Sequence, residues 1–190
     1  ITDLLDTKLD WSTFEILEFG FNDAIVVPEP GASAYSGVAF VGSDPNPVQC
    51  EIHLDPVTGE LVVDLRSFDE ETGDWPEDPL AGFLPPNDET ARGEGYIRFS
   101  IWPVPGLDDG EIIENQASIV FDVNDPILTP ETVHQIDTGS PISSIAPLPA
   151  TVTPEFSVAW SGADEAGGSG IASYDIYVSV DDGPFQRWLG

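Results

Sequence analysis

The sequence predicts an all-β protein whose antiparallel sheets pack as sandwiches. Short segments with alternating apolar and polar residues recur along the 190-residue chain, and Gly, Pro or Asp separates most of them. Alternation with a period of two is typical of a half-buried β-strand. Closely spaced strands with turn residues between them favour a sandwich over parallel α/β units. No segment has the apolar spacing of a convincing helix.

The first third of the chain contains six predicted strands. They are Ile1–Leu5, Trp11–Phe19, Ala24–Val27, Tyr35–Val41, Val48–Leu54 and Glu60–Phe68. The last two form the clearest hairpin, because apolar residues alternate in both and the turn D-P-V-T-G at 55–59 lies between them. Gly59 suits the positive φ that such a turn needs. Cys50, the only cysteine, falls on the apolar face, so we expect a buried and unreactive thiol.

A long acidic connection, rich in Pro and Gly, follows at 69–88. Loops of this length are uncommon inside a compact domain. Four apolar residues predict that the loop is ordered and packs on the sandwich. They are Trp75, Leu80, Phe83 and Leu84.

The strand that organises the rest of the prediction lies within I-I-E-N-Q-A-S-I-V-F-D-V-N-D-P at 112–126, after a predicted strand at Gly95–Trp102. From Ile113 to Phe121 the apolar residues fall on one side of a period-two ribbon, and Asn115 interrupts that face. The strand then delivers three oxygen-bearing side chains to one end of the sandwich, namely Asp122, Asn124 and Asp125. Such a cluster is either a calcium ligand set or an ordinary acidic turn.

The composition of 137–141, D-T-G-S-P, predicts a linker, so we divide the chain into modules at 1–137 and 138–190. A short strand is predicted just before the linker, at Glu131–Ile136. Beyond it we predict strands at Glu155–Trp160, with Phe156 and Trp160 facing inward, at Ala172–Val180 and at Phe185–Leu189. A hairpin turn at Asp181–Gly183 joins the last two.

The net charge limits the possible partners. The chain has 35 acidic and 5 basic residues, a formal net charge of −30, which excludes nucleic acid and anionic membrane surfaces as partners. No apolar run approaches the roughly 18 residues of a membrane span, so membrane insertion is not expected either. The first residue is Ile1 rather than an initiator methionine, so we expect a mature or processed segment.

Calcium is the cofactor that the acidic turns suggest, since this hard cation takes six to eight oxygen ligands. The candidate ligands are Asp122, Asn124, Asp125, Asp137, Asp164, Asp6 and Asp10. The first three are expected to meet Asp137 or the Asp164–Glu165 loop at the module junction. Asp6 with Asp10, or alternatively Asp108 with Asp109, would form a second site. The competing interpretation is that these residues are solvated turn residues.

Catalysis is not expected, because no G-x-S-x-G, no H-E-x-x-H and no Cys–His pairing occurs. The two histidines, His53 and His134, are too few and too badly placed for a triad. Carbohydrate binding is the alternative function, with a flat platform of exposed aromatic rings. The candidates are Trp75, Trp102, Trp160, Trp188 and Tyr35, for which core packing is the competing role.

Three segments resemble long bacterial surface and secreted proteins that carry Ig-like "conserved repeat" modules: L-D-W-S-T-F at 9–14, G-E-G-Y-I-R-F-S-I at 93–101 and the run at 113–124. The stretch at 160–185 resembles a fibronectin type III-like or Ig-like module. The resemblance implies two Ig-like β-sandwich modules in an extracellular, non-catalytic protein. The D-V-N-D-P at 122–126 also looks like the calcium linker of cadherins, as a chemical analogy.

An Ig-like module needs about seven strands, and only three or four are predicted after residue 141, so the second module is expected to be incomplete within the chain. We therefore expect a calcium-rigidified structural subunit that assembles head to tail into a filament. A strand of one copy, with Ile1–Leu5 as the expected donor, would complete the second module of the next. The alternative is a fragment of a large multi-module adhesin on the cell surface.

Overall fold

The computed structural model describes residues 1–42, 44–78, 81–151 and 153–189. Within these ranges the chain folds into β-strands and contains no helix, so the all-β prediction is confirmed. Consequently, none of the described segments is a helix long and apolar enough to cross a membrane.

The described residues form two compact units. The first contains the described residues of 1–106 and 113–133, and the second those of 107–112 and 134–190. The module boundary expected at 137–138 stays a prediction, since compactness of a unit does not show that it folds alone.

Eleven strands lie between residues 1 and 135 of the described chain. They are β1 (Thr2–Leu4), β2 (Leu9–Phe21), β3 (Ala24–Val26), β4 (Ala34–Ala39), β5 (Val48–Leu54), β6 (Glu60–Ser67), β7 (Gly95–Pro103), β8 (Ile112–Asn115), β9 (Ala117–Ile119), β10 (Ile127–Leu128) and β11 (Thr132–Gln135). In the first unit they form a larger sheet of order β10-β9-β1-β6-β5-β4 and a smaller sheet of order β3-β2-β7. A further two-stranded sheet pairs β8 with β11.

The core of the first unit lies between its two sheets. The smaller sheet contributes Phe14, Ile16, Phe19 and Phe21 from β2, and the larger sheet contributes Val48, Cys50, Ile52, Leu61 and Val63 from β5 and β6. Burying one large apolar side chain stabilises the fold by about 1.5–3 kcal/mol, so this layer holds the sheets together. Cys50 is fully buried, which confirms the prediction of a buried cysteine. Burial raises the pKa of its thiol to about 11, so little thiolate forms at neutral pH.

The β5–β6 hairpin forms as predicted. Its register pairs Val48 with Ser67 and Leu54 with Leu61. In the turn, a carboxylate oxygen of Asp55 accepts the amide hydrogen of Val57 at 2.8 Å, and Gly59 has a φ of 75°. The ring of Trp11 occupies the place that a Cβ at Gly59 would take, so packing and backbone conformation both require glycine here.

The long acidic loop is anchored at its second half. Phe83 contacts Phe21 edge to face with ring centroids 5.0 Å apart, and Leu84 packs against the same core. Trp75 is not an anchor, because 62% of its surface is exposed. Leu80 lies outside the described residues.

The predicted long strand at 113–121 is wrong, because the chain breaks at Gln116 into β8 and β9. Asn115 turns inward, and its Nδ2 donates a hydrogen bond of 2.8 Å to Oδ2 of the buried Asp3. After the break β9 joins the larger sheet between β1 and β10. Phe121 therefore falls beyond the strand, and 45% of its surface is exposed.

The predicted donor strand is also placed differently. Thr2–Leu4 pairs with β6 on one edge and with β9 on the other. Leu5, the residue that follows, is a fully buried core residue. Because β1 has no free edge, the expectation that this segment is donated to a neighbouring copy is not supported.

The second unit contains four further strands. They are β12 (Ile142–Ile145), β13 (Trp160–Ala163), β14 (Ile176–Val178) and β15 (Gln186–Leu189). They form two separate two-stranded sheets, β12–β13 and β14–β15. The predicted turn at 181–183 is confirmed, since Asp181 and Asp182 both have positive φ and Gly183 donates its amide hydrogen to the Val180 carbonyl at 3.0 Å.

The predicted strand Glu155–Trp160 is wrong, because a strand begins only at Trp160. Phe156 and Trp160 do not face a core, and none of the described residues of this unit is buried. The strand predicted over Ala172–Val180 shortens to β14. Alternation alone therefore placed these side chains incorrectly, because no opposing sheet covers them.

Candidate functional site

Three carboxylates of the second unit come together in the structure. Oxygens of Asp109, Asp137 and Glu165 all lie within 4.8 Å of one another. Asp109 belongs to the turn before β8, Asp137 follows β11, and Glu165 follows β13. In the described part of the chain, these three side chains are the group of His, Cys, Asp or Glu residues that lies close enough together to share a metal ion.

Backbone hydrogen bonds bring the first two carboxylates together. The amide of Gly110 donates to the Ile136 carbonyl at 2.8 Å, and the amide of Ile136 donates to the Glu111 carbonyl at 2.7 Å. The amide of Thr138 then donates to Oδ1 of Asp109 at 2.9 Å. These bonds hold the turn that carries Asp109 against the segment that carries Asp137.

The third carboxylate is brought in by the Gly-rich loop after β13. Ser169 donates from its amide to Oδ2 of Asp137 at 2.9 Å, and its hydroxyl donates to the same oxygen. The carboxylate of Glu165 lies where a Cβ at residue 139 would be. Glycine at this position therefore allows Glu165 to approach the backbone beside Asp137.

The three carboxylates of the cluster carry like charges, which repel one another. Hydrogen bonds from the Ser169 hydroxyl and amide lower the pKa of Asp137. A backbone hydrogen bond acts to lower the pKa of Glu165, but the hydrogen bond and charge of Asp164 and the charge of Asp137 outweigh it, so the pKa of Glu165 is raised. None of the ion pairs among the described residues involves Asp109, Asp137 or Glu165. The oxygens are hard ligands of the kind that calcium prefers.

The remaining ligands predicted near the module junction have other contacts. Asp164 lies beside the cluster, where its Oδ2 accepts the amide hydrogen of Gly170 at 2.7 Å. Asp122, Asn124 and Asp125 belong to the first unit and are exposed. Asp122 has a φ of 53°, and the Asn124 side chain donates to the Phe121 carbonyl at 2.9 Å, which is the geometry of a turn.

The predicted ligands near the start of the chain have partners of their own. Burial acts to raise the pKa of Asp6, but the amides of Lys8 and Glu114 and the charge of Lys8 outweigh it and lower that pKa. The Lys8 ammonium is 3.6 Å from Asp6. Asp10 accepts hydrogen bonds from the amide and hydroxyl of Ser12. These contacts give Asp6 a role in the turn before β2 and Asp10 a role in the irregular start of that strand.

The sequence predicts Asp109 and Glu165 in two different calcium sites. It places Asp109 in a site with Asp108, and Glu165 in a site with Asp122. Their contact with Asp137 joins residues far apart in the chain, through the Gly110–Ile136 and Ser169–Asp137 hydrogen bonds. No local pattern around Asp109 signals this contact.

Of the residues considered for a carbohydrate-binding platform, Tyr35 takes the competing role of core packing. Tyr35 packs edge to face on Phe19, with ring centroids 5.0 Å apart. Trp102 lies on β7 of the smaller sheet, and Trp75 lies in the acidic loop. The other two candidates, Trp160 and Trp188, belong to the second unit.

A family model matches part of the chain. A domain of unknown function, DUF7619, matches residues 82–135, which is less than a third of the sequence. The matched range contains both 93–101 and 113–124, and it spans β7 to β11. No curated protein and no solved structure matches. The match adds no activity, and an Ig-like identity does not follow from it.

Proposed function

We propose that the chain is a non-catalytic, extracellular structural subunit of Ig-like modules that assembles head to tail into a filament through β-strand complementation. The observation that carries the proposal is the exposure of the apolar strand residues of the second unit. They include Ile142, Ile145, Trp160, Tyr177, Val178, Trp188 and Leu189.

Isolated two-stranded sheets are marginally stable in water. The β12–β13 and β14–β15 sheets are of this kind, and Ile142 keeps 74% of its surface exposed. A strand added from outside supplies main-chain hydrogen bonds and buries alternate side chains. A contact between different surfaces of identical copies produces an open fibre when its rotation does not close into a ring.

The strand that completes the second unit is not β1, because both of its edges are already paired. Edge strands of the first unit are better suited. The longest is β7, whose nine residues pair with β2 on one side only. Unpaired edges of this length readily accept further strands.

Calcium is proposed as the ion that rigidifies the second unit. The cluster of Asp109, Asp137 and Glu165 brings three segments together, and none of the described residues of this unit is buried. The excess of acidic residues supports an extracellular location, where calcium concentrations are high enough for sites of 10⁻⁴–10⁻³ M affinity.

The alternative proposal is a long cell-surface adhesin in which a neighbouring module of the same chain covers the second unit. Both proposals rest on the same exposed strands. They differ in whether the covering strands come from another copy or from an adjoining module.

The test is sedimentation velocity over a wide range of protein concentration, followed by electron microscopy of the largest species. The filament proposal expects oligomers that grow with concentration. Trp188→Asp on β15 should prevent their growth, because it places a charge on the surface to be buried. The matched control is Val57→Asp in the β5–β6 turn, where 84% of the side chain is exposed, and it should assemble normally.

A chain that stays monomeric at every concentration contradicts the filament proposal. Intact mass measurement of the native material then separates the two proposals. Identical units of 20.4 kDa support a filament, and one much larger polypeptide supports the adhesin.

A further inference from the structure

The outer face of the larger sheet carries a small cavity beside a polar network. The cavity has a volume of about 320 Å³ and lies between β4, β5 and the segment after β6, where Ser36, Val38, Gln49, Phe68 and Gly73 line it. This volume falls within the range of small-molecule sites in proteins. All of these residues belong to the first unit.

Cross-strand pairing fixes the polar network beside the cavity. Gln49 lies between Val38 and Arg66, and Glu51 lies opposite Ser36. Oε1 of Glu51 accepts hydrogen bonds from the Ser36 hydroxyl at 3.2 Å and from Nε2 of Gln49 at 3.1 Å. Arg66 donates from Nη2 to Oε1 of Gln49 at 2.9 Å. The donors and acceptors are therefore held in place before any ligand arrives.

An aromatic ring closes one side of the network. The guanidinium of Arg66 lies 5.7 Å from the centroid of the Trp75 ring. A tight turn holds the ring there, because Asp69 accepts the amide hydrogen of Thr72 at 2.8 Å and donates its own to the Asp74 carbonyl at 2.8 Å. Trp75 nevertheless remains largely exposed, so part of the indole is available to a ligand.

Arg66 differs from the other cations of this acidic chain. Lys8, Arg92, Arg98 and Arg187 each have a carboxylate within 4.0 Å. Among the described residues Arg66 has no such ion pair, and it contacts Gln49 and Trp75. A guanidinium has five N–H donors in a fixed arrangement, so Arg66, which is bonded to Gln49 of the cavity lining, keeps donors for a ligand beside the cavity.

We infer that this face binds a neutral saccharide through Glu51, Arg66 and Trp75. A carboxylate ligand would pair with Arg66 but be repelled by Glu51, and a cationic ligand would be repelled by Arg66. Adjacent hydroxyl groups both donate and accept hydrogen bonds, so they satisfy both side chains at once. The apolar face of a sugar ring also packs on an exposed indole, because each ring has an apolar face and polar groups at its edge.

This site is independent of the proposed filament, because it uses neither the strands of the second unit nor β7. The experiment is saturation-transfer NMR and titration calorimetry of the full chain with three neutral hexasaccharides: a β-1,4-glucan, an α-1,4-glucan and a β-1,4-xylan. We expect saturable binding of at least one of them. Trp75→Ala and Arg66→Met should each weaken that binding at least tenfold.

Trp102→Ala is the matched control, since Trp102 is an exposed tryptophan on the smaller sheet, with 71% of its surface accessible. It should bind as the unaltered chain does. Circular dichroism checks that each variant folds, and both substituted side chains of the site are exposed, so folding should be retained.

Three results would overturn the inference. They are no binding of any hexasaccharide, equal loss of binding in the Trp102→Ala control, and tighter binding of an oligogalacturonate or a chitosan oligomer than of every neutral sugar. Sedimentation of Trp75→Ala and Arg66→Met should be unchanged, so failure here is distinguishable from failure of the filament proposal.

Discussion

The two units of the chain have similar alternating strands but bury them very differently. In the first unit, two sheets face each other, and residues such as Phe19 and Ile52 are almost completely buried. In the second unit, each sheet has two strands and no described residue is buried. The comparison teaches that a period-two pattern marks a strand with an apolar face, whereas burial requires a second sheet opposite that face.

The comparison predicts opposite outcomes for one substitution made in each unit. Ile52→Ala on β5 should destabilise the first unit by about 2–5 kcal/mol, because it removes a buried side chain and leaves a cavity. In dilute, unassembled protein, Ile142→Ala on β12 should change stability by less than about 0.5 kcal/mol, because its side chain is then in water. Guanidinium unfolding followed by circular dichroism measures both values.

The two isoleucine variants are matched in residue type and in secondary structure. If Ile142→Ala destabilises the protein as much as Ile52→Ala does, the second unit is covered in solution. Concentration dependence of that effect would then show whether another copy covers it.

Much of the first unit follows from local sequence. The strand Val48–Leu54 was predicted to the residue, since both its alternation and the turn at 55–59 are local signals. The break at Gln116 was not predicted, and the contact of Asn115 with Asp3 beside it joins residues far apart in the chain. The strand predicted over Glu155–Trp160 is wrong for a related reason, because alternation alone does not show whether a second sheet covers the strand.

The candidate sites were less accessible to sequence reasoning. Asp137 was selected from its turn composition, but the approach of Asp109 and Glu165 depends on backbone hydrogen bonds between distant segments. The polar face of the β5–β6 hairpin was visible from alternation. Its pairing of Gln49 with Arg66 follows from the register, but the position of Trp75 depends on how the acidic loop folds.

A second prediction concerns a charge buried in the better packed unit. Asp3 has 6% of its surface exposed, and its Oδ1 and the Oδ1 of Asn115 lack hydrogen-bond partners. Burial raises the pKa of Asp3, although the hydrogen bond from Asn115 acts to lower it. Asp3→Asn removes the buried charge and adds a donor for Asn115, so it should stabilise the fold near pH 7 by on the order of 1 kcal/mol.

The pH dependence of that gain follows from the sign of the shift. Because the folded pKa of Asp3 is raised above its unfolded value, its contribution to stability is fully present below the unfolded pKa and is lost as pH rises through the folded pKa. The advantage of Asp3→Asn should therefore shrink as the pH falls toward the unfolded value. Asp64→Asn on β6, an exposed aspartate of the same sheet, is the control. A gain that persists undiminished in acid would show that the buried charge is not its cause.

The smallest predicted effect sharpens the comparison from the side of the second unit. Added calcium should slow amide hydrogen exchange around residues 109, 137 and 165, because the ion would join three segments that no apolar core holds together. Exchange in β5 should stay unchanged, since Cys50 and Ile52 already lie in a packed core.

The raised pKa of Glu165 implies that the protection weakens on acidification, as protons compete for its oxygens. Asp137→Asn should abolish the protection, and Asp122→Asn should preserve it. Equal protection in both variants would place calcium elsewhere, and added strands alone would then stabilise the second unit.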